Sequence, residues 1–303
     1  MRRLLPLLLL LTLVSLGQAQ PLQGVPILSH PLLRGLQHWY LGVPGLTGGS
    51  LWYDLAQSAV REHGVLTNMG YSTTSGWSPS TRPGGYMQLN LDNTDDYVAL
   101  AGNSGLTATT PLTICSWVKL TAITVNTTVG ILTNCNPTAF QYPGLYWRAS
   151  FGGASQLFRP EVALCSEAGN CGTQINVRAD ASLSFNTWYH LCVAVDGSAT
   201  AAGIALYLNG QPLASTVAID GGTGAFTYTD RPWRIGRELN DGQPFNGSLD
   251  DLMIFTRALA AREITQLYQS SAQGHPALLV PPSGAAMALA PAGPPGHFFP
   301  FFR

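Results

Sequence analysis

The chain has 303 residues, a formal net charge of −1 and only 10% charged residues. One lysine, Lys119, stands against fourteen arginines with no basic stripe, which argues against nucleic acid as a partner. Abundant Gly, Thr, Ser and Asn with almost no long helical periodicity suits an exported all-β domain.

Arg2 and Arg3 precede an apolar run from Leu4 to Leu16, and Gly17 and Ala19 follow as small residues. This run is too short to anchor in a bilayer, so residues 1–19 read as a secretory signal peptide. Residues 20–34 form a lead-in with little pattern. The run from Pro276 to Gly293 is apolar but broken by Pro and Gly, so no membrane span is expected after signal cleavage. The segment 272–303 is dominated by Pro, Ala and Gly and is expected to lack fixed structure.

Between these ends, residues 35–271 alternate short strand-like runs with turn residues. The clearest are Tyr97–Leu100, Leu112–Val118, Trp188–Val195 and Ile204–Leu208. Asn209-Gly210 then supplies the pair best able to hold positive φ at both centres of a tight hairpin, with Pro212–Val217 as the returning strand. Such spacing, closed by one helix, predicts two packed antiparallel sheets. Five cysteines suit an oxidising compartment but leave at least one over. Cys165 and Cys171 flank a short loop and are the first choice for a bridge, with Cys135 a rival partner. Cys115 and Cys192 lie inside strand-like runs and read as small buried apolar residues.

Five stretches, in order, carry a resemblance: WYDLAQSAVREHGVLTN (52–68), GGYMQLNLDNTDDYVAL (84–100), LTICSWVKL (112–120), NTWYHLCVAVDG with ALYLNGQPLAS (186–215), and FNGSLDDLMIFTRALAAREITQLY (245–268). Together they resemble the LamG-like jelly-roll domains of the concanavalin A-like lectin/glucanase superfamily. The resemblance implies an all-β, two-sheet antiparallel sandwich with one short C-terminal helix. Three departures stand out: a longer loop between Asp54 and His63, Glu62 in place of the usual Asn, and Ala260 in place of the usual serine cap. Losing that cap oxygen should weaken the first helical turn by about 1 kcal/mol.

The same resemblance implies a structural calcium ion at Asp250, with backbone carbonyls from the N-terminal region. Strict alternation puts Asp250 on the face of Leu252 and Ile254, where a carboxylate is costly unless liganded or hydrogen-bonded. Calcium accepts such mixed oxygen ligands, and a carboxylate accepting backbone hydrogen bonds at a strand end is the competing reading. Asp251, on the opposite face with Met253 and Phe255, reads as a solvated acid. Asp92, Asp95 and Asp96 fall at a turn.

Glucanases of this fold place two carboxylates on one strand to flank the glycosidic bond, and no such spacing occurs here. H-E-x-x-H, G-x-S-x-G and P-loop motifs are also missing. The expectation is therefore a non-catalytic binding module, with a glycan or an extracellular or cell-surface protein as partner. Trp147, Arg148 and Trp233 are the candidate ligand contacts, the two tryptophans provided that they are exposed. Trp117 and Trp188 read as core, and His63 and His190 as structural hydrogen bonders.

Overall fold

The strand-like runs close into two antiparallel sheets because each run has one apolar face to bury. The computed structural model describes residues 25–280 except 27–28, 48, 57, 59–60, 102–110, 124–126, 135–143, 153–156, 166–173, 222–231 and 240. The first strands are β1 (Val25–Pro26), β2 (Leu36–Tyr40), β3 (Leu51–Trp52), β4 (Gly64–Thr67), β5 (Gly76–Pro79), β6 (Met87–Asp92) and β7 (Tyr97–Leu100). Next come β8 (Leu112–Leu120), β9 (Thr128–Thr133), β10 (Gly144–Phe151), β11 (Leu157–Cys165), β12 (Gln174–Ala179), β13 (Leu183–Ser184) and β14 (Tyr189–Val195). The last are β15 (Ile204–Leu208), β16 (Gln211–Leu213), β17 (Ser215–Asp220), β18 (Trp233–Ile235) and β19 (Asn246–Phe255), then helix α1 (Ala261–Ser271) and β20 (Leu279–Val280).

A ten-stranded sheet runs β17-β12-β11-β10-β9-β18-β7-β4-β3 with β13 beside β11. An eight-stranded sheet runs β16-β15-β14-β8-β19-β6-β5 with β2 beside β19. Leu249, Leu252 and Ile254 of the second sheet meet Trp147, Phe158 and Val162 of the first in one continuous core. A second apolar layer lies outside the eight-stranded sheet, where Ile264 and Leu267 of α1 cover Trp39, Met253 and Phe255. Ala260 offers no cap oxygen, but the Glu263 carboxylate accepts the Ala260 backbone N–H at 2.9 Å and pairs with Arg257, so half of a capping box survives.

Three expectations are corrected. The hairpin at Asn209-Gly210 forms with positive φ at both residues, 49° and 77°, but its returning strand splits: β16 stays in the eight-stranded sheet and β17 crosses to the ten-stranded one. Cys115 and Cys192 are joined by a disulfide, because the β8–β14 register sets them directly opposite with Cα atoms 4.1 Å apart. Across 77 residues of sequence, nothing local reveals that pairing. The folded unit also passes residue 271: His275, Leu278 and Leu279 are buried, and β20 pairs with β1. Residues 1–19, expected from the sequence to be a signal peptide, and the segment 281–303 lie outside the described residues.

Candidate functional site

The two acids of β19 do not alternate as the sequence implies. The ladder to β8 pairs Asp250 with Trp117 and Met253 with Cys115, with a bulge between, and Asp251 sits at φ 56°. The extra residue shifts the parity of the strand. Leu249, Leu252 and Ile254 still face the core between the sheets, while both acids turn to the helix-covered outside. Asp251 is therefore buried, not solvated: it accepts Trp39 Nε1–H at 2.7 Å, contacts His275 Nε2 at 2.6 Å and accepts the Ser271 hydroxyl. Burial alone would raise its carboxyl, but His275, Arg82 and Ser271 hold it well below the usual range.

Asp250 Oδ1 accepts the backbone N–H groups of Gly42 and Asp251, each at 2.8 Å, and Oδ2 accepts Arg82 Nε–H at 2.5 Å. The guanidinium lies 5.4 Å from the Trp117 ring centroid and donates to the Ser271 carbonyl at 3.0 Å. Calcium needs several oxygens directed at one point. Here both carboxylate oxygens face N–H donors, and a cation stands where the ion would have to sit. These residues do not fit the calcium ion that the resemblance implies.

Two further buried acids, Asp54 and Glu62, contrast with each other. Asp54 Oδ1 accepts the N–H groups of Trp39 and Ala56, and Oδ2 meets Glu62 N–H and His38 Nδ1. His63 is structural in the same loop, its Nδ1 accepting Asp54 N–H at 3.0 Å. Glu62 is buried, and neither carboxylate oxygen has a hydrogen-bond partner among the described residues. Burial pushes its pKa up to about 7, opposed by His38 and aided by Asp54.

Among the described residues, no helix covers the outside of the ten-stranded sheet. One Cα register crosses it through Val65, Ala99, Arg234, Thr133, Tyr146, Ala163, Asn176 and Ile219. The adjacent row is Gly130, Arg148, Glu161, Arg178 and Thr216. Glu161 Oε1 accepts Arg148 Nε–H at 2.8 Å and Asn176 Nδ2–H at 2.5 Å, with Arg148 Nη2 also donating. Burial would raise Glu161, but Arg148 and the Asn176 amide keep it below the ordinary carboxylate range. Asn176 Oδ1 is buried without a hydrogen-bond partner among the described residues. At one side Arg237 and Glu238 press on the sheet, where Tyr146 donates to Glu238. A Cβ on Gly130 would come within 3.4 Å of Arg237 backbone and 3.5 Å of the Tyr146 ring.

Trp147 and Trp233 are corrected as ligand contacts: they are 0% and 1% exposed. In β10 the alternation turns Leu145, Trp147 and Ala149 into the core, leaving Tyr146, Arg148 and Ser150 outside. Arg148 alone of the three candidates reaches the open face. Trp117 is core as expected, but Trp188 is only half-buried, its Nε1–H on Thr81 Oγ1 at 2.8 Å and Lys119 Nζ 5.1 Å from its ring centroid. Cys165 is buried at the end of β11, while Cys171 and Cys135 lie outside the described residues. His190 is buried, which lowers its pKa to about 3, and its two cysteine neighbours are consumed by the disulfide. Asp92, Asp95 and Asp96 bring carboxylate oxygens within 4.8 Å of one another at the β6–β7 turn. Glu161, Asn176, Arg159 and Arg178 were missed by sequence reasoning; the β11–β12 alternation of charged and apolar residues was the available signal.

A family model described as Laminin G type, Concanavalin A-like lectin/glucanases superfamily, matches residues 92–265. That is more than half of the chain, and the chain belongs to this superfamily. Among solved structures it is similar to the binding domain of Paraclostridial Mosquitocidal Protein 1, with TM-score 0.55, 16% identity, and coverage of 79% of this chain and 53% of that one. It is also similar to domain 4 of AbnA, an extracellular GH43 arabinanase of Geobacillus stearothermophilus solved with arabinotriose. There the TM-score is 0.50 with 18% identity, covering 77% of this chain and 98% of that one. A Trypanosoma rangeli sialidase aligns with TM-score 0.51 and 14% identity over 78% of this chain and 33% of its own. The chain thus spans about half of the toxin domain and a third of the sialidase. At these identities the likeness shows the fold alone. No curated protein matches the sequence.

Proposed function

We propose that this is an exported, non-catalytic saccharide-binding module that takes its ligand on the open face of the ten-stranded sheet. One observation carries the reading: α1 and the segment after it cover the eight-stranded sheet, whereas the other outer face presents a graded row of guanidinium, carboxylate and amide groups. Such planar polar groups match the paired hydroxyls of a sugar. The arabinotriose complex of the AbnA domain supports a saccharide on this fold. Against catalysis, Glu161 is engaged by Arg148 and Glu238 by Tyr146, and an ionised, arginine-bound Glu161 is a poor proton donor. Export agrees with the Cys115–Cys192 disulfide, and no helix among the described residues is long and apolar enough to cross a membrane.

A protein partner is the second reading, favoured by Val217 and Ile219, 46% and 40% exposed on the edge strand β17. A glycan-array screen of the full chain, with calcium and then with a chelator, separates the two. Binding to a defined saccharide class that persists in chelator is the expected result. Silence from a demonstrably folded protein overturns the saccharide reading in favour of the protein-binding one.

A further inference from the structure

We infer that the saccharide is anionic, its carboxylate or sulfate held between Arg159 and Arg178 on the open face; this rests on the saccharide-binding reading above. Neutral sugars are gripped largely by stacking on exposed aromatic rings. The tyrosines of this face are closed to that use, since Arg234 lies 4.4 Å from the Tyr97 ring centroid and Arg148 4.8 Å from that of Tyr146. What the face offers instead is charge.

Among the described residues, four arginines point outward here, and two are already matched: Arg148 by Glu161 and Arg234 by Asp241. Arg159 and Arg178 pair with no carboxylate among the described residues. Arg178 stands directly opposite Glu161 on the neighbouring strand and is exposed. Arg159 lies two residues from Glu161 on the same face, opposite Ser150. Diagonal neighbours on adjacent antiparallel strands are about 7–8 Å apart, a span that two guanidinium groups can close around one anionic group. Arg159 is held in place by its Nε–H bond to Ser182 Oγ at 3.1 Å, and Ser182 in turn donates to the Gly152 carbonyl at 3.3 Å. That leaves the far edge of its fork for a ligand. Asp180, at the end of the same strand as Arg178, accepts the Thr216 hydroxyl and forms no ion pair among the described residues. The fork geometry of arginine suits two oxygens of one anion, and two such unmatched forks on a chain of net charge −1 are a local, not a global, positive field.

The test is calorimetric titration of the full chain with four probes: an oligogalacturonate, its carboxyl-reduced neutral form, a sulfated galactan oligosaccharide and its desulfated form. The acidic member of at least one pair should bind about tenfold or more tighter than its neutral counterpart, with affinity falling as salt rises. Whichever pair shows the difference assigns carboxylate or sulfate. Arg178→Glu and Arg159→Gln, each with an unchanged melting temperature, should remove that preference. Equal affinity for acidic and neutral forms overturns the inference and leaves the saccharide reading standing. An acidic preference that survives both substitutions also overturns it, by placing the anion elsewhere. Failure of all four probes, together with silence on the array, removes both.

Discussion

Outside the eight-stranded sheet, Arg82, Asp250, Asp251 and His275 are buried beneath α1 and the segment after it, whereas outside the ten-stranded sheet Arg159 and Arg178 reach solvent with no ion partner among the described residues. The same residue types serve opposite ends. A buried charge is tolerated only when its desolvation is offset by close partners, so the first group pairs within itself, and even Arg82 Nη2, which makes no hydrogen bond among the described residues, lies 3.7 Å from Asp251 Oδ2. An exposed charge costs little to keep unpaired, because water and salt screen it. Binding capacity should therefore reside where the structure has spent least on stability.

The largest expected effect comes from breaking the buried group. Arg82→Met leaves two carboxylates buried against a neutral side chain and should lower unfolding free energy by about 3–5 kcal/mol in urea titration. A loss under about 1 kcal/mol would show that the guanidinium is not what closes this face. In the unaltered protein, added calcium or a chelator should leave the melting temperature where it was, because Arg82 already provides the positive charge at Asp250.

Glu62 sharpens the comparison, its carboxylate being buried without a hydrogen-bond partner among the described residues. Its folded pKa, about 7, lies above the ordinary 4.5. The stability it allows is thus fully present below about pH 4.5 and is lost as pH rises through 7. Glu62→Gln should melt at the same temperature as the parent near pH 4 and higher than it at pH 8, by up to about 3 kcal/mol of unfolding free energy. A constant difference across that range would mean that the carboxyl does not titrate there.

The smallest stability effect belongs to the open face. Arg178→Ala should change unfolding free energy by no more than about 0.5 kcal/mol. A loss above about 1 kcal/mol would make this arginine a structural group and erase the contrast between the two faces.

Much of the fold was legible in the chain itself. Period-two alternation in Leu112–Leu120 and Tyr189–Val195, the Asn209-Gly210 turn and the helical spacing of Ile264 and Leu267 are local signals, and local backbone geometry answers to them directly. Four features were settled only in three dimensions. The bulge at Asp251 turned Asp250 to the face opposite the expected one, because one extra residue costs little locally yet changes the parity of a strand. Arg82 reached Asp250 across 168 residues of sequence, and Cys115 met Cys192 through strand register. The arginine-lined face arose in the same way, from residues of β10, β11 and β12 that are unremarkable one at a time. Alternation tells each residue which side of its strand it occupies; only the register between strands decides which side chains become neighbours.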